Sequence, residues 1–215
     1  MHEGLLNYLS LLGWSIAADR DVFSRDELVA AFDVEDVNPN PARFDLKKAE
    51  SINGDHIRLL AADDFAARIV PYLEGFVENP PTAAQAAILR EAAPLVQERV
   101  NLLGEARGML AFLFTPDDEI DYDQDAMPAD ADEARLVLDA SYAALENLDD
   151  FSTEAIEAAL RAALIEGAGL KPRVAFGPLR TAISGRRVSP PLFESLQILD
   201  RESTLARLER LRQRL

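Results

Sequence analysis

The sequence predicts an all-α protein. Three observations carry that reading. Apolar residues recur at three- and four-residue steps through most of the 215 positions. Serine or aspartate stands where several of these periodic stretches begin, as helix starts require. No βαβ alternation, glycine-rich phosphate loop or internal repeat occurs. Against a mean helix length of ~11 to 12 residues, the chain has room for about ten helices.

The elements follow in order. Leu5, Leu6, Tyr8, Leu9 and Leu12 mark a first helix closed by Gly13. Ser24 is an N-cap with Glu27 three residues on, a capping box, and Phe23 and Leu28 occupy the positions of a hydrophobic staple. Residues 34–41 (VEDVNPNP) form a turn-rich break. Asp45 opens the next helix, with Asn53-Gly54 read as its C-terminal stop and His56 just beyond it as a surface or interface histidine. Asp63 or Asp64 starts another. Pro80-Pro81-Thr82 punctuates before an alanine-rich helix that Pro94 should kink or interrupt. Phe151, Ser152 and Ile156 make a second staple-and-cap start, for a helix ending near Gly167-Ala168-Gly169. The last stretch, ESTLARLERLRQRL, reads as a basic amphipathic helix.

Composition removes whole classes of chemistry. There is no cysteine, hence no disulfide, thiolate metal site or cysteine nucleophile, and a reducing, cytoplasmic setting is expected. The two histidines, His2 and His56, are too few and too far apart for a histidine metal site or the usual nucleophile–base pairs. No apolar run approaches the ~18 to 20 residues of a membrane span, and the N-terminus is a poor signal peptide. The formal charge is −16, from 22 basic and 38 acidic side chains. It is unevenly spread: residues 1–150 carry −20 and residues 151–215 carry +4. A polyanion should therefore be met by the C-terminal part.

Two segments stand out. In DDEIDYDQDAMPADADE, Asp121, Asp123 and Asp125 have the alternate spacing of a calcium loop. The positions that need glycine and a bidentate glutamate hold Ala126 and Asp132, so a solvated acidic loop is the expectation. In LKPRVAFGPLRTAISGRRVSPPLFESL, Lys171, Arg173, Arg180, Arg186 and Arg187 alternate with rigid turn-forming pieces. Guanidinium forks suit phosphates and base edges, and a proline-fixed loop ending in Leu192-Phe193 could seat unstacked bases. The same pattern also fits a helix–loop–helix corner whose prolines only set geometry, and the residues alone leave both readings open.

Three stretches go further: LLNYLSLLGW with DVFSRDELVAAFD (residues 5–33), FDLKKAESINGDHIR (44–58) and VAFGPLRTAISGRRVSPPLFESLQIL (174–199). In these residues, their order and their separations, nearly the whole chain resembles the C-terminal half of bacterial glutamyl-tRNA synthetases, class I glutamate–tRNA ligases. The family's catalytic signatures, HIGH and KMSKS, are absent here. The resemblance thus implies a truncated or isolated C-terminal portion with no ATP or glutamate site and no activity alone, the ATP and Mg belonging to the missing catalytic domain.

The resemblance further implies consecutive helical domains: a stem-contact region over residues 1–62, then two anticodon-binding subdomains over 63–115 and 116–215. It implies that Arg99 reads the third anticodon base, that Arg180, Ser189, Pro190, Leu192 and Phe193 also face the anticodon, and that Arg173, Arg186 and Arg187 meet phosphates. The implied partner is a glutamate tRNA, with glutamine tRNA as a further candidate, bound by a cytoplasmic monomer. Two positions depart from the family's pattern: Gly177 stands where many members carry glutamine, and Asp200 where glycine is common. The acidic residues are expected on the face away from the RNA. Two other functions fit the same helical frame: an acidic module that binds a protein, such as an amidotransferase, and a calcium-tuned adaptor acting through residues 121–132.

Overall fold

The computed structural model describes residues 1–39 and 41–215; Asn40, within the turn-rich break at 34–41, lies outside the described residues. Ten α-helices and several short 3-10 turns make up the described residues, and no strand is formed among them. The first three helices are α1 (His2–Ser10), α2 (Arg25–Ala31) and α3 (Leu46–Arg58). The capping box at Ser24 and Glu27 is present as expected: the Ser24 hydroxyl accepts from the Glu27 N–H, and the Glu27 carboxylate accepts from the Ser24 N–H.

The face of α1 is not the one its leucine stripe suggests. Leu5, Leu6 and Leu9 are exposed, while Gly4, Asn7 and Tyr8 are buried against α3. The helices cross closely enough that a Cβ on Gly4 would lie 2.7 Å from the Asn53 Cα. Asn53 and Gly54 do not end α3. Both are buried in its interior, and the helix continues to Arg58. The Asn53 amide donates to the Asn101 carbonyl and its oxygen accepts from the Met1 amine, both at 2.6 Å. Tertiary contact has overridden a local C-cap signal. His56 is consequently not a surface residue. It sits buried with Nε2 2.8 Å from the Asn7 Oδ1, which also accepts the Phe23 N–H. Burial holds the imidazole below its ordinary pKa, and Nε2 faces the Asn7 oxygen, to which an N–H there would donate.

Three helices follow: α4 (Ala62–Ile69), α5 (Ala83–Gln97) and α6 (Glu105–Leu110). Thr82 and Gln85 form a second capping box at the start of α5. Pro94 does not interrupt this helix. It lies on the exposed side, as does Arg90, so the carbonyl left without its N–H partner faces water. The Gln97 amide donates to the carbonyls of Ile57 and Leu60, each at 2.9 Å, and fastens α3 to α5.

The last four helices are α7 (Ala131–Glu146), α8 (Thr153–Leu160), α9 (Pro172–Ser184) and α10 (Leu192–Arg214). Ser152 caps α8, which runs on as one π-helical stretch, Arg161–Gly167. α10 is bent at Asp200, whose φ of 67° is a left-handed backbone that glycine adopts most readily. Asp200 compensates by accepting the Ser203 N–H on its own carboxylate, capping the second half of the helix. One apolar core runs from Ile57, Phe65 and Leu73 through Val96 and Leu110 to Leu138, Leu160, Leu179, Leu196 and Leu208.

The acidic segment before α7 keeps most of its carboxylates in solvent, as expected, but it is not a free loop. It is strapped across the ends of α9 and α10. The Asp123 N–H donates to the Gly185 carbonyl and the Asp123 carboxylate pairs with Arg186. The Thr181 hydroxyl donates to the Ala126 carbonyl, and Arg210 donates to the Ile120 carbonyl. Gly185, at φ 70°, is required here, since a Cβ would lie 1.9 Å from the Asp121 carbonyl oxygen.

Candidate nucleic-acid interface

Helix α9 and the turn after it form one side of an open groove of about 750 Å³. Pro172 at the first helical position sets the start of α9, and the left-handed Gly185 ends it. Arg173, Arg180 and Arg187 face the groove from this side. The other side is the strapped segment and the first turn of α7, including Met127, Pro128, Asp130 and Glu133. The expectation that acids lie away from the basic face is therefore incorrect for Asp125, Asp130 and Glu133, which line the same groove. The cause is the strap, which brings its acidic residues alongside α9.

Arg180 is half-buried and pre-aimed. One nitrogen donates to the Ser189 Oγ and to the Pro190 carbonyl, both at 3.0 Å. Burial pushes the guanidinium below its ordinary pKa, Arg99 adds repulsion, and Glu194 opposes both. The fold thus brings Arg99 and Arg180 into one electrostatic neighbourhood although they are far apart in sequence. Arg99 itself stands exposed in the turn after α5, and among the described residues no carboxylate pairs with it.

The remaining residues named from sequence divide. Ser189, Pro190 and Leu192 are buried, with Leu192 in the core, so they build the shelf under Arg180. Phe193 is partly exposed and meets Phe176 edge-on at 5.4 Å between ring centres. Arg161 lies over both rings, at 5.8 and 6.0 Å. Arg173 and Arg187 are exposed; Arg186 is engaged by Asp123.

Sequence reasoning gave no role to Arg161, Thr181 or Arg207. Arg207 is 2% exposed and donates to the carbonyls of Phe112, Thr115 and Ile183 and to the Asp117 carboxylate. The available signal was its place on the same helical face as Thr204, Leu208 and Leu211, all of them buried. For Arg161 there was none, since its ring partners come from α9 and α10.

Among the described residues no group of three or more histidine or acidic side chains is placed to hold a metal ion, and no helix is long and apolar enough to cross a membrane.

Known proteins resemble this arrangement throughout. The glutamate–tRNA ligase of Kocuria rhizophila is 61% identical over 212 residues, 98% of this chain and 42% of that protein. That of Kineococcus radiotolerans is 61% identical over 214 residues, 99% of this chain and 43% of that protein. The chain therefore spans less than half the length of the curated relatives it matches. Among solved structures, a glutamate tRNA ligase from Elizabethkingia meningosepticum superposes with a TM-score of 0.82 at 23% identity, over 98% of this chain and 41% of that one, and shares its fold. The family described as anticodon binding domain matches residues 64–212, well over half the chain, and to that family this chain belongs.

Proposed function

We propose that this chain is the tRNA-binding part of a glutamate–tRNA ligase and that it reads the anticodon while glutamyl-tRNA is made for translation. One observation carries the reading: Arg180 is held over a rigid Ser189-Pro190 shelf and lines one groove with Arg173 and Arg187, with Arg99 near enough for its charge to act on Arg180. Single-stranded loops are recognised by splayed bases that need guanidinium forks and a fixed surface to lie on. Arg99, exposed and uncommitted to any carboxylate among the described residues, is the base-reading fork. Arg180 is held by the shelf and offers its remaining donors outward. Arg173 and Arg187 take phosphates. Arg186, already paired, leaves that set.

The proposal assigns residues 1–62 to stem contact and residues 63–115 and 116–215 to two anticodon-binding subdomains. It places the protein in the cytoplasm as a monomer with a glutamate tRNA as partner. Acceptance of glutamine tRNA turns on the third anticodon base. Adenylate formation, with its ATP and Mg, is assigned to the catalytic domain that the resemblance implies, whose HIGH and KMSKS signatures these residues lack. The groove's arginines favour this reading over an acidic protein-binding module.

Fluorescence anisotropy with a glutamate anticodon stem–loop RNA tests it. Saturable binding that weakens on Arg180→Ala and Arg99→Ala is expected, with no ATP–pyrophosphate exchange by the chain alone. Equal affinity for the wild type and both variants would overturn it.

A further inference from the structure

Arg161 opens the π-helical stretch Arg161–Gly167 that prolongs α8. Such turns are rare and gather at functional sites. The side chain at its start lies over two rings from other helices. Its guanidinium carbon is 5.8 Å from the ring centre of Phe176 on α9 and 6.0 Å from that of Phe193 on α10. The two rings meet edge-on, 5.4 Å between centres. One guanidinium thus joins the continuation of α8 to α9 and α10. Its ion pair does not explain that placement. Glu157, one turn back on α8, accepts from the Arg161 Nε at 2.6 Å, and such a local pair needs no ring beneath it.

The rings flank the shelf under Arg180. Phe176 stands one turn before Arg180 on the same face of α9. Phe193 stands in the first turn of α10, next to Leu192, which is buried in the core. The Pro191 carbonyl accepts the Ser195 N–H and hydroxyl, so the end of the shelf and the first turn of α10 are one hydrogen-bonded piece. α8 grips that piece at both ends. At its start the Thr153 N–H and hydroxyl donate to the Gln197 side-chain oxygen, at 2.6 and 2.7 Å. Gln197 is one turn from Phe193 on α10. At the other end the grip is Arg161 over Phe193, where a cation gains from the ring face.

Resting on the anticodon-binding reading above, we infer that Arg161 is a positioning residue for RNA binding. Stacked over Phe176 and Phe193, it holds the first turn of α10 against α9 and so keeps the Ser189-Pro190 shelf where it aims Arg180. It does this without touching the RNA.

A double-mutant cycle of Arg161→Ala and Arg180→Ala tests the inference. The 215-residue chain is titrated with a glutamate anticodon stem–loop RNA and followed by fluorescence anisotropy. Arg161→Ala should weaken binding about 2- to 5-fold, the equivalent of one exposed cation–ring contact. Arg161→Lys, which keeps a cation over the rings, should recover most of that loss. In the Arg180→Ala background the Arg161→Ala loss should disappear, because no aimed guanidinium remains to be misplaced. The slope of log K against log salt should stay that of the wild type, since no phosphate contact is removed. Unchanged binding by Arg161→Ala while Arg180→Ala weakens would overturn the inference and leave the wider reading standing. A loss that persists in full without Arg180 would also overturn it, as would a slope shallower by about 0.7, the mark of a direct phosphate contact. Arg161→Lys as weak as Arg161→Ala would count against the cation over the rings and overturn it too. Failure of the wild-type chain to bind any stem–loop RNA would overturn the anticodon reading itself, and the role of Arg161 with it.

Discussion

Arg99 and Gly185 show how much single residues decide in this protein. Arg99 extends from the turn after α5 without a carboxylate partner among the described residues, so its fork can engage a base. Base contacts specify, whereas phosphate contacts position. Arg99→Gln keeps reach but loses the charge and the planar fork. By analogy with bidentate readout in DNA, discrimination at the third anticodon base should drop by about 1 to 3 kcal/mol. Dissociation constants for two stem–loops differing only at that base measure it. Equal loss for both would show that Arg99 only anchors phosphate. Gly185 is a case of pure geometry. Gly185→Ala meets a left-handed backbone and a carbonyl oxygen 1.9 Å from the new Cβ. The conformational penalty alone is about 1 to 2 kcal/mol, and displacing the strap adds to it. Urea unfolding should show a loss of at least that size, and an unchanged midpoint would contradict the close approach.

At the scale of elements, Arg207 joins what the chain separates. It ties the second half of α10 to the carbonyls of Phe112 and Thr115 after α6, to Asp117, and to the Ile183 carbonyl in the last turn of α9. Arg207→Met would fit the apolar face but leave the partly exposed Asp117 carboxylate and three carbonyls without their donor. A loss of about 1 to 3 kcal/mol follows from leaving buried acceptors without their donor. Arg207→Lys should recover little, because one ammonium cannot reproduce the fork. Chemical denaturation of both variants measures this, and wild-type stability in the lysine variant would contradict it. A milder pH effect belongs to α2. Hydrogen bonds from the Ser24 backbone and from Arg20 hold the Glu27 pKa at about 2, below its ordinary 4.5. A carboxylate lowered on folding stabilises above its unfolded pKa and loses that contribution as pH falls through the folded one. The first turn of α2 should therefore loosen between about pH 4.5 and 2, seen as lost protection of the Ser24 amide that the carboxylate accepts, and a Glu27→Gln variant should not show this transition. Local signals of this kind were legible in the sequence. Ser24 with Glu27, and Ser152, are short-range hydrogen-bonding patterns, and the helices begin where they stand. The Asn53-Gly54 stop was misread because its small, polar character serves a helix crossing and a bond to Asn101, neither visible locally. The basic set at 173–187 was readable as a patch, but its sorting into groove-facing and paired arginines depends on the strap, which only the fold brings across.

For the whole molecule the question is how a protein of net charge −16 could hold a polyanion. The C-terminal 65 residues carry 11 basic side chains, and the fold consumes most of them. Arg161 pairs with Glu157, Arg186 with Asp123 and Arg212 with Asp139. Arg201 donates to the Leu148 carbonyl, Arg207 and Arg210 to carbonyls nearer the strap, and Arg214 lies over the Tyr122 ring. That leaves Lys171, Arg173 and Arg187, with Arg180 on its shelf and Arg99 from the turn after α5. The basic amphipathic helix at the C-terminus is thus largely an internal brace. Counterion release scales with the phosphates neutralised, at about −0.7 in log K per log salt for each contact on a single strand. Of these five cations, Arg99 and Arg180 are assigned to bases, so roughly three phosphate contacts remain and bound the slope at about −2. Acidic residues along the groove keep it from being steeper. Anisotropy titrations of the stem–loop RNA between low and moderate salt give the slope directly. Arg187→Gln should make it shallower by about 0.7, whereas Arg212→Gln, which removes a cation already paired with Asp139, should leave it unchanged. A slope steeper than that bound, or an equal effect of the two substitutions, would mean that the brace arginines leave their partners to meet the RNA.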